Sequence, residues 1–189
     1  MKMKEKILYT ISRIGILLMA NVICSILSVT LVSWIVNLFS QGSGSKFKEA
    51  LFEGGGVWSF IAWIMLLIIL LILFIDDGIR QSAYETYDSV STSIVLILMF
   101  AVYYIPVLFI NKTSGKATTG FKSFYFPNKW IIEKFSLDYI KAALLGIGII
   151  LILCLAGYMT AHAVYMKKHP VLDWRVKNPN EEYSSKENQ

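Results

Sequence analysis

The chain has 189 residues, of which 56% are hydrophobic and 16% are charged, with a formal net charge of +5. Because soluble domains are about 45–50% apolar and about 25% charged, this composition excludes an ordinary water-soluble domain. The apolar residues form long runs separated by short polar segments, which is typical of helices that cross a lipid bilayer. Lysine and arginine flank these runs and form no stripe with interleaved aromatic residues, so the charge predicts contact with the bilayer surface and no nucleic-acid partner.

The chain begins with a basic segment, residues 1–13, which precedes a first predicted transmembrane helix over residues 14–39. The apolar run of this helix is longer than the roughly 7–15 residues of a signal-peptide core, so it predicts an uncleaved span. Small polar side chains recur on two faces of the helix. In a span such side chains bond to neighbouring helices, and both faces therefore predict helix contacts. The first face consists of Asn21, Ser25 and Ser28, and the second consists of Thr30, Ser33 and Asn37.

A Gly/Ser-rich loop, residues 40–56, leads to a second predicted span over residues 57–75. This span is apolar all round after Ser59, so no face of it is marked for function. It matches the thickness of a bilayer core, which is about 30 Å, and it ends just before a group of acids.

The acids lie in a predicted hairpin turn, residues 76–89, together with one arginine. Because the second span already crosses the bilayer core, the acids are predicted to lie at the membrane surface, where charge costs little. The plainer interpretation is a solvated turn that meets a basic surface of the chain or of a partner, and the alternative is a cation or proton site. The residues of this possible polar or partner surface are Asp76, Asp77, Arg80, Glu85 and Asp88.

A third span is predicted over residues 90–110, with a kink at Pro106 because proline removes one backbone donor. The connection that follows, residues 111–141, alternates lysines with aromatic residues, which is typical of chain that lies in the headgroup zone. Asn128 follows Pro127 within it and is predicted to cap a short helix.

The fourth predicted span covers residues 142–166 and is followed by a polar tail, residues 167–189. Small residues recur along one side of this span. Since small side chains let helix backbones approach closely, this side predicts a helix–helix interface. Its members are Ala142, Gly146, Gly157 and Ala161.

Four spans place both chain ends on one side of the membrane. Lysine and arginine are slightly more numerous on that side, which predicts cytoplasmic ends, although the lysine-rich third connection favours the opposite orientation. The abundance of isoleucine and lysine is typical of AT-rich bacterial genomes and suggests a bacterial plasma membrane.

The sequence contains no motif of an intramembrane protease and no phosphate-binding loop. His162 lies in the fourth span without a second histidine or cysteine at ligand spacing, so it predicts an interfacial histidine and no metal site. We therefore predict no catalytic residue, no cofactor and no metal ion.

The predicted fold is an all-α, four-helix transmembrane bundle in a single membrane domain, with an interfacial connection between the third and fourth helices. The polar first span and the small-residue side of the fourth predict a non-enzymatic accessory or structural subunit of a larger membrane assembly. Its expected partners are the lipid bilayer and other membrane subunits or further copies of the chain. The alternative is a small oligomeric transporter or channel, and an intramembrane enzyme is a remote third option. The pathway of such a transporter would be lined by Asn21, Asn37 and His162.

Overall fold

The computed structural model describes residues 3–39, 56–84, 86–110 and 122–169. Most of the predicted Gly/Ser loop and tail, the start of the lysine-rich connection and Glu85 lie outside these ranges, as do the side chains of Ser33 and Asn37. The described chain is helical apart from short turns. The helices are α1 Met3–Phe39, α2 Gly56–Ala83, α3 Ser89–Tyr104, α4 Val107–Ile110, α5 Lys129–Phe135 and α6 Tyr139–Lys168, with a 3₁₀ turn, Phe126–Asn128, before α5.

Four helical segments are long and apolar enough to cross a membrane, which confirms the predicted all-α chain with four such helices. At about 1.5 Å per residue, even the segment of 21 residues exceeds a bilayer core of about 30 Å. The four segments are Lys4–Leu31, Gly56–Ala83, Ser89–Phe109 and Tyr139–Lys168.

The four long helices run alternately up and down and form a closed ring in the order α1, α2, α6, α3. Helices α2 and α6 share the largest interface of the ring. We call the end where α1 begins and α6 ends the termini end, and the opposite end the connection end. The apolar core fills the centre of the ring and includes Leu17, Leu70, Phe74, Met99, Ile150 and Cys154.

Two helices extend beyond their predicted apolar runs at the termini end. Helix α1 begins at Met3, so the basic segment belongs to it, and α2 continues past Ile75 to Ala83. The continuation is stabilised because Arg13 on α1 binds Asp77 on α2. Only residues 84–88 lie between the end of α2 and the start of α3, so this interval is shorter than the predicted hairpin turn of residues 76–89.

Helix α3 ends at Tyr104 and the chain resumes a helical course at Val107. Proline at position 106 has no backbone N–H, while the N–H of Ile105 still bonds to the carbonyls of Ala101 and Val102. The interruption lies at the predicted kink.

The described part of the connection packs over the connection end of the bundle. Tyr125 and Ile131 are fully buried there, and Asn128 is nearly so. Helix α5 starts directly after Asn128, but the side chain of this residue makes no capping bond. Asn128 occupies the predicted cap position, but its side chain does not cap the helix. Its Nδ2 donates to the hydroxyl of Tyr103, and its Oδ1, the atom that a cap would use, lies against Gly146.

Helices α2 and α6 pack closely at Gly78. A Cβ atom at this position would lie 2.6 Å from the carbonyl oxygen of Tyr158 and 3.1 Å from Cβ of Ala161. Since a backbone carbonyl cannot turn aside as a flexible side chain can, the substitution Gly78→Ala is expected to lower the free energy of unfolding by about 1–3 kcal/mol.

Gly15 on α1 provides the matched control for this prediction, because a Cβ atom there would meet no atom within 4 Å. Gly15→Ala is expected to raise the free energy of unfolding by up to about 1 kcal/mol through helix propensity alone. Unfolding by SDS titration in mixed micelles measures both values. Equal or greater stability of Gly78→Ala would contradict the close packing of α2 on α6.

Candidate functional site

A buried ion pair joins α1 to α2 at the termini end. Asp77 is 5% exposed and receives two hydrogen bonds from the guanidinium of Arg13, with 2.8 Å between Nε and Oδ2. The hydroxyl of Tyr9 donates a third bond to Oδ2 at 2.7 Å. The Arg13 guanidinium also lies 4.8 Å from the centre of the Tyr9 ring. Because these bonds compensate the desolvated charges, a bidentate pair of this kind is stable away from water.

The structure separates the acids that the sequence groups in one turn. Asp77 is buried, whereas its neighbour Asp76 forms an exposed i,i+4 ion pair with Arg80 at 2.8 Å. Asp88 belongs to a different helix start, and Glu85 lies outside the described residues. The basic surface that Asp77 and Asp88 meet is the chain's own first helix.

Asp88 caps α3 and at the same time holds the start of α1. Its Oδ1 accepts from the backbone N–H of Ser91 at 2.9 Å, and its Oδ2 accepts from the ammonium of Lys6 at 3.1 Å. Lys6 also donates to the Ser91 hydroxyl at 2.8 Å. The hydrogen bonds from Ser91, and then the bond from Lys6, hold the pKa of Asp88 well below its usual range. The carboxylate therefore remains charged at physiological pH.

A second set of polar contacts joins α2 to α6. The hydroxyl of Tyr158 donates to Oε1 of Gln81 at 2.6 Å and accepts from the backbone N–H of Asp88 at 3.3 Å. One turn further, Oγ of Ser82 lies 2.8 Å from Nδ1 of His162. The ring of Tyr87 stacks on the rings of both His162 and Tyr158, with centroid distances of 3.6 and 5.0 Å. His162 is thus held between α2 and the α2–α3 turn.

The contact between Ser82 and His162 has the distance of a nucleophile and its base. Ser82 is buried, however, and its hydroxyl also bonds to the carbonyl of Gly78 in its own helix. No carboxylate in the described ranges bonds to His162 to orient the ring. We interpret the contact as a hydrogen bond that joins two helices.

A polar cavity of about 300 Å³ lies among α1, α2 and α3 at the termini end. It is large enough for several water molecules. The amide oxygen of Gln81 is used by Tyr158, while its amide nitrogen has no partner among the described residues. The polar residues that line the cavity are Lys6, Tyr9, Thr10, Gln81, Thr86, Asp88, Ser91 and Thr92.

A buried hydrogen-bond relay joins three elements at the connection end. Nδ2 of Asn128 donates to the hydroxyl of Tyr103 at 3.0 Å, and this hydroxyl donates to Oδ1 of Asn21 at 3.2 Å. Nδ2 of Asn21 then donates to the carbonyl of Phe124 at 2.8 Å. The hydroxyl of Tyr125 donates to the carbonyl of Tyr103 at 2.6 Å, and burial raises the pKa of Tyr125. The relay fastens α1 and α3 to the connection.

The other polar members of the first predicted face stay within α1. Ser25 donates to the carbonyl of Asn21, and Ser28 donates to the carbonyl of Ser25. Asn21 and Ser28 are completely buried, while Ser25 is half-buried. Of the three, only Asn21 bonds to another element of the described chain.

The small residues of the fourth span contact other parts of the same chain. Ala142 is buried. Gly146 lies against Asn128 and Ile131, and the carbonyl of Gly146 accepts a hydrogen bond from the indole N–H of Trp63 at 3.1 Å. Gly157 lies where a Cβ atom would be 2.7 Å from Cδ1 of Leu71, and Ala161 lies against Gly78. These small residues therefore allow α6 to pack closely on α2 and on the connection.

Grooves open on the outside of the ring, and two of them are the largest described. The first, which we call the α1 groove, has a volume of about 600 Å³ and lies between α1 and the connection. The second, the α2–α6 groove, has a volume of about 700 Å³ and lies between those helices toward the termini end. The α1 groove is lined by Asn21, Val22, Ser25, Ile26, Val29, Thr30, Ser123, Phe124 and Phe126.

Several residues of these networks were not singled out from the sequence. Arg13 was assigned to a basic flank, although its position at the start of an apolar run signals a charge within reach of the bilayer. Tyr103 and Tyr158 lie among many aromatic residues, and nothing in their spacing distinguishes them. Ser82 gives no signal, because its partner His162 is 80 positions away in the chain.

Within the described ranges, no group of three or more histidine, cysteine, aspartate or glutamate side chains could hold a metal ion. The two cysteines, Cys24 and Cys154, are buried and free. No family model, no curated protein sequence and no solved structure matches the chain.

Proposed function

We propose that this chain is a non-enzymatic integral membrane protein that acts as an accessory or structural subunit of a larger membrane assembly. We place it in a bacterial plasma membrane with both chain ends in the cytoplasm, as the distribution of lysine and arginine favours. In this proposal a helix of the partner protein binds in the α1 groove.

The observation that carries the proposal is the uneven use of the two polar faces of α1. Asn21, on the first face, is completely buried and bonds to Phe124 and Tyr103 of the same chain. Thr30, the described member of the second face, is exposed and bonds only to carbonyls of its own helix. A hydroxyl directed outward from a span is available to a neighbouring helix.

The extent to which each of the four spans is buried inside the chain also points to the outer face of α1. Only 28% of the apolar window of α1 is buried inside the chain, against 33–39% for the other three. In its second half, the exposed side chains include those of Val29, Leu31 and Trp34. Among the described residues, none that lines the adjoining α1 groove is charged, so an apolar helix with small polar side chains suits it best.

Photocrosslinking in the native membrane tests the proposal. A benzophenone amino acid at Ile26, which lines the α1 groove, is expected to yield one discrete heavier product that contains a different polypeptide. The control is the same amino acid at Ile152 on α6, which is also exposed, somewhat more than Ile26, and lines neither groove. Identical products from both positions, or a product that contains only two copies of this chain, would contradict the accessory role.

The alternative of a small transporter or channel is supported by the polar cavity at the termini end. It is opposed by the relay, because both ends of the Asn21 amide are occupied by partners within the chain. Ion or solute flux into liposomes that contain the purified protein distinguishes the two functions. Flux that is lost in Asn21→Leu and retained in Ser25→Ala would favour the transporter.

A further inference from the structure

The α2–α6 groove differs from the α1 groove in having a cationic end. It is lined by apolar side chains of α2 and α6 and by small residues of α6 that include Ala156, Gly157 and Thr160. At the termini end the groove finishes at Tyr165, Lys168 and His169. Lys168 and His169 are exposed, and the ring of Tyr165 lies against that of His169 with 4.6 Å between the centroids. An apolar groove that ends at a tyrosine and a lysine matches one membrane leaflet, in which an apolar interior meets a polar headgroup region.

The length of the groove also matches one leaflet. From Leu153 to Lys168 the axis of α6 advances by roughly 22 Å, at about 1.5 Å per residue. Half of a bilayer, including its headgroup region, is roughly 20–22 Å thick. One lipid molecule of a leaflet therefore fits along the whole length of the groove.

The charge at the mouth of the groove indicates which kind of lipid headgroup would bind there. Lys168 lines the groove at its mouth, and the neighbouring Lys167 adds a second positive charge on the same helix turn without lining it. Both acids of α2 are engaged in ion pairs, Asp76 with Arg80 and Asp77 with Arg13. The mouth of the groove is therefore positively charged and complements an anionic phosphate group.

We propose that the α2–α6 groove binds one anionic phospholipid. An acyl chain lies along Leu71, Ile75 and Gly157, and the headgroup phosphate binds at Lys168 and His169. This proposal rests on insertion of the chain into a bilayer, which is one part of the proposed function, and it is independent of any partner protein. A failure of the crosslinking experiment at Ile26 would leave it intact.

Native mass spectrometry of the purified chain with added phosphatidylglycerol or phosphatidylcholine tests the headgroup. The intact protein is expected to retain one phosphatidylglycerol in preference to phosphatidylcholine. Because one lysine near the headgroups has a typical effect of about fivefold on binding, Lys168→Gln is expected to weaken phosphatidylglycerol binding by about that factor. The control Lys167→Gln removes the same charge beside the groove and is expected to have a smaller effect. Equal effects of the two variants would overturn the proposal, since they would indicate general attraction of lipid to a basic helix end.

Filling the groove tests the acyl chain separately. Ala156→Trp places a bulky ring inside the groove and is expected to abolish retention of the single lipid, whereas Ala163→Trp, equally exposed on α6 but outside the groove, is expected to preserve it. Circular dichroism verifies that both variants keep their helical content. If Ala156→Trp unfolds, Thr160→Phe, which fills the groove one helical turn away, is tested in its place. Undiminished lipid retention in a folded groove variant would overturn the proposal, as would a membrane protein crosslinked at Thr160 in place of lipid.

Discussion

Replacement of Arg13 by leucine is expected to lower the free energy of unfolding by about 3–5 kcal/mol, because it leaves the buried carboxylate of Asp77 without its cation. The loss is large because Asp77 is almost completely inaccessible to solvent and receives two of its three side-chain hydrogen bonds from Arg13. The remaining bond, from Tyr9, is too weak to compensate a desolvated charge. SDS titration of the purified protein in mixed micelles measures the change.

The double variant Arg13→Leu with Asp77→Leu is expected to recover most of this loss, since an apolar pair of similar volume avoids the cost of desolvating two ions. The control is Arg80→Leu, which breaks the exposed pair with Asp76 only one turn away and is expected to change the free energy of unfolding by less than about 1 kcal/mol. Equal losses in Arg13→Leu and Arg80→Leu would show that the Arg13–Asp77 contact is not a buried ion pair in the protein.

The four helices could be predicted from the sequence because each depends on local hydrophobicity and length. The partner of Asp77 could not be predicted, because Arg13 is 64 positions away and its contact depends on how α1 is rotated against α2. Apolar side chains surround α1 almost completely, so the hydrophobic pattern leaves that rotation undetermined. The burial of Asp77 within the protein could not be predicted either, since α2 continues beyond the second apolar run and packs there against α1.

The connection illustrates a second limit of sequence reasoning. Its alternation of lysine and aromatic residues is compatible with chain on a membrane surface and equally with chain packed on a bundle. Tyr125 and Ile131 are completely buried within the protein, and Gly146 leaves the space that Asn128 occupies. A side-chain cap at Asn128 is a local prediction, and it fails because the amide is held with Nδ2 on the Tyr103 hydroxyl of α3 and Oδ1 against Gly146. Contacts of this kind require the packed structure.

The buried hydrogen-bond relay at the connection end underlies the second large effect on stability. Asn21→Leu is expected to lower the free energy of unfolding by about 2–4 kcal/mol, because it removes the acceptor of the Tyr103 hydroxyl and the donor to the Phe124 carbonyl in a place that water does not reach. Ser25→Ala is the control, since Ser25 bonds only to a carbonyl of α1, and it is expected to cost less than about 1 kcal/mol.

A double-mutant cycle shows whether the relay acts as one unit. Tyr103→Phe removes the central hydroxyl, so Asn21 loses a hydrogen-bond donor and Asn128 loses an acceptor. This variant is therefore expected to be destabilising on its own. The combination with Asn21→Leu is expected to cost less than the sum of the single changes by about 0.5–3 kcal/mol, because the second change removes a group that the first has already left unpaired. Strict additivity, or a cost for Asn21→Leu no larger than that for Ser25→Ala, would contradict the relay. Coupling of the expected size would mean that Asn21 is engaged in holding the chain's own helices together, which leaves the outer face of α1 as the surface available to another protein.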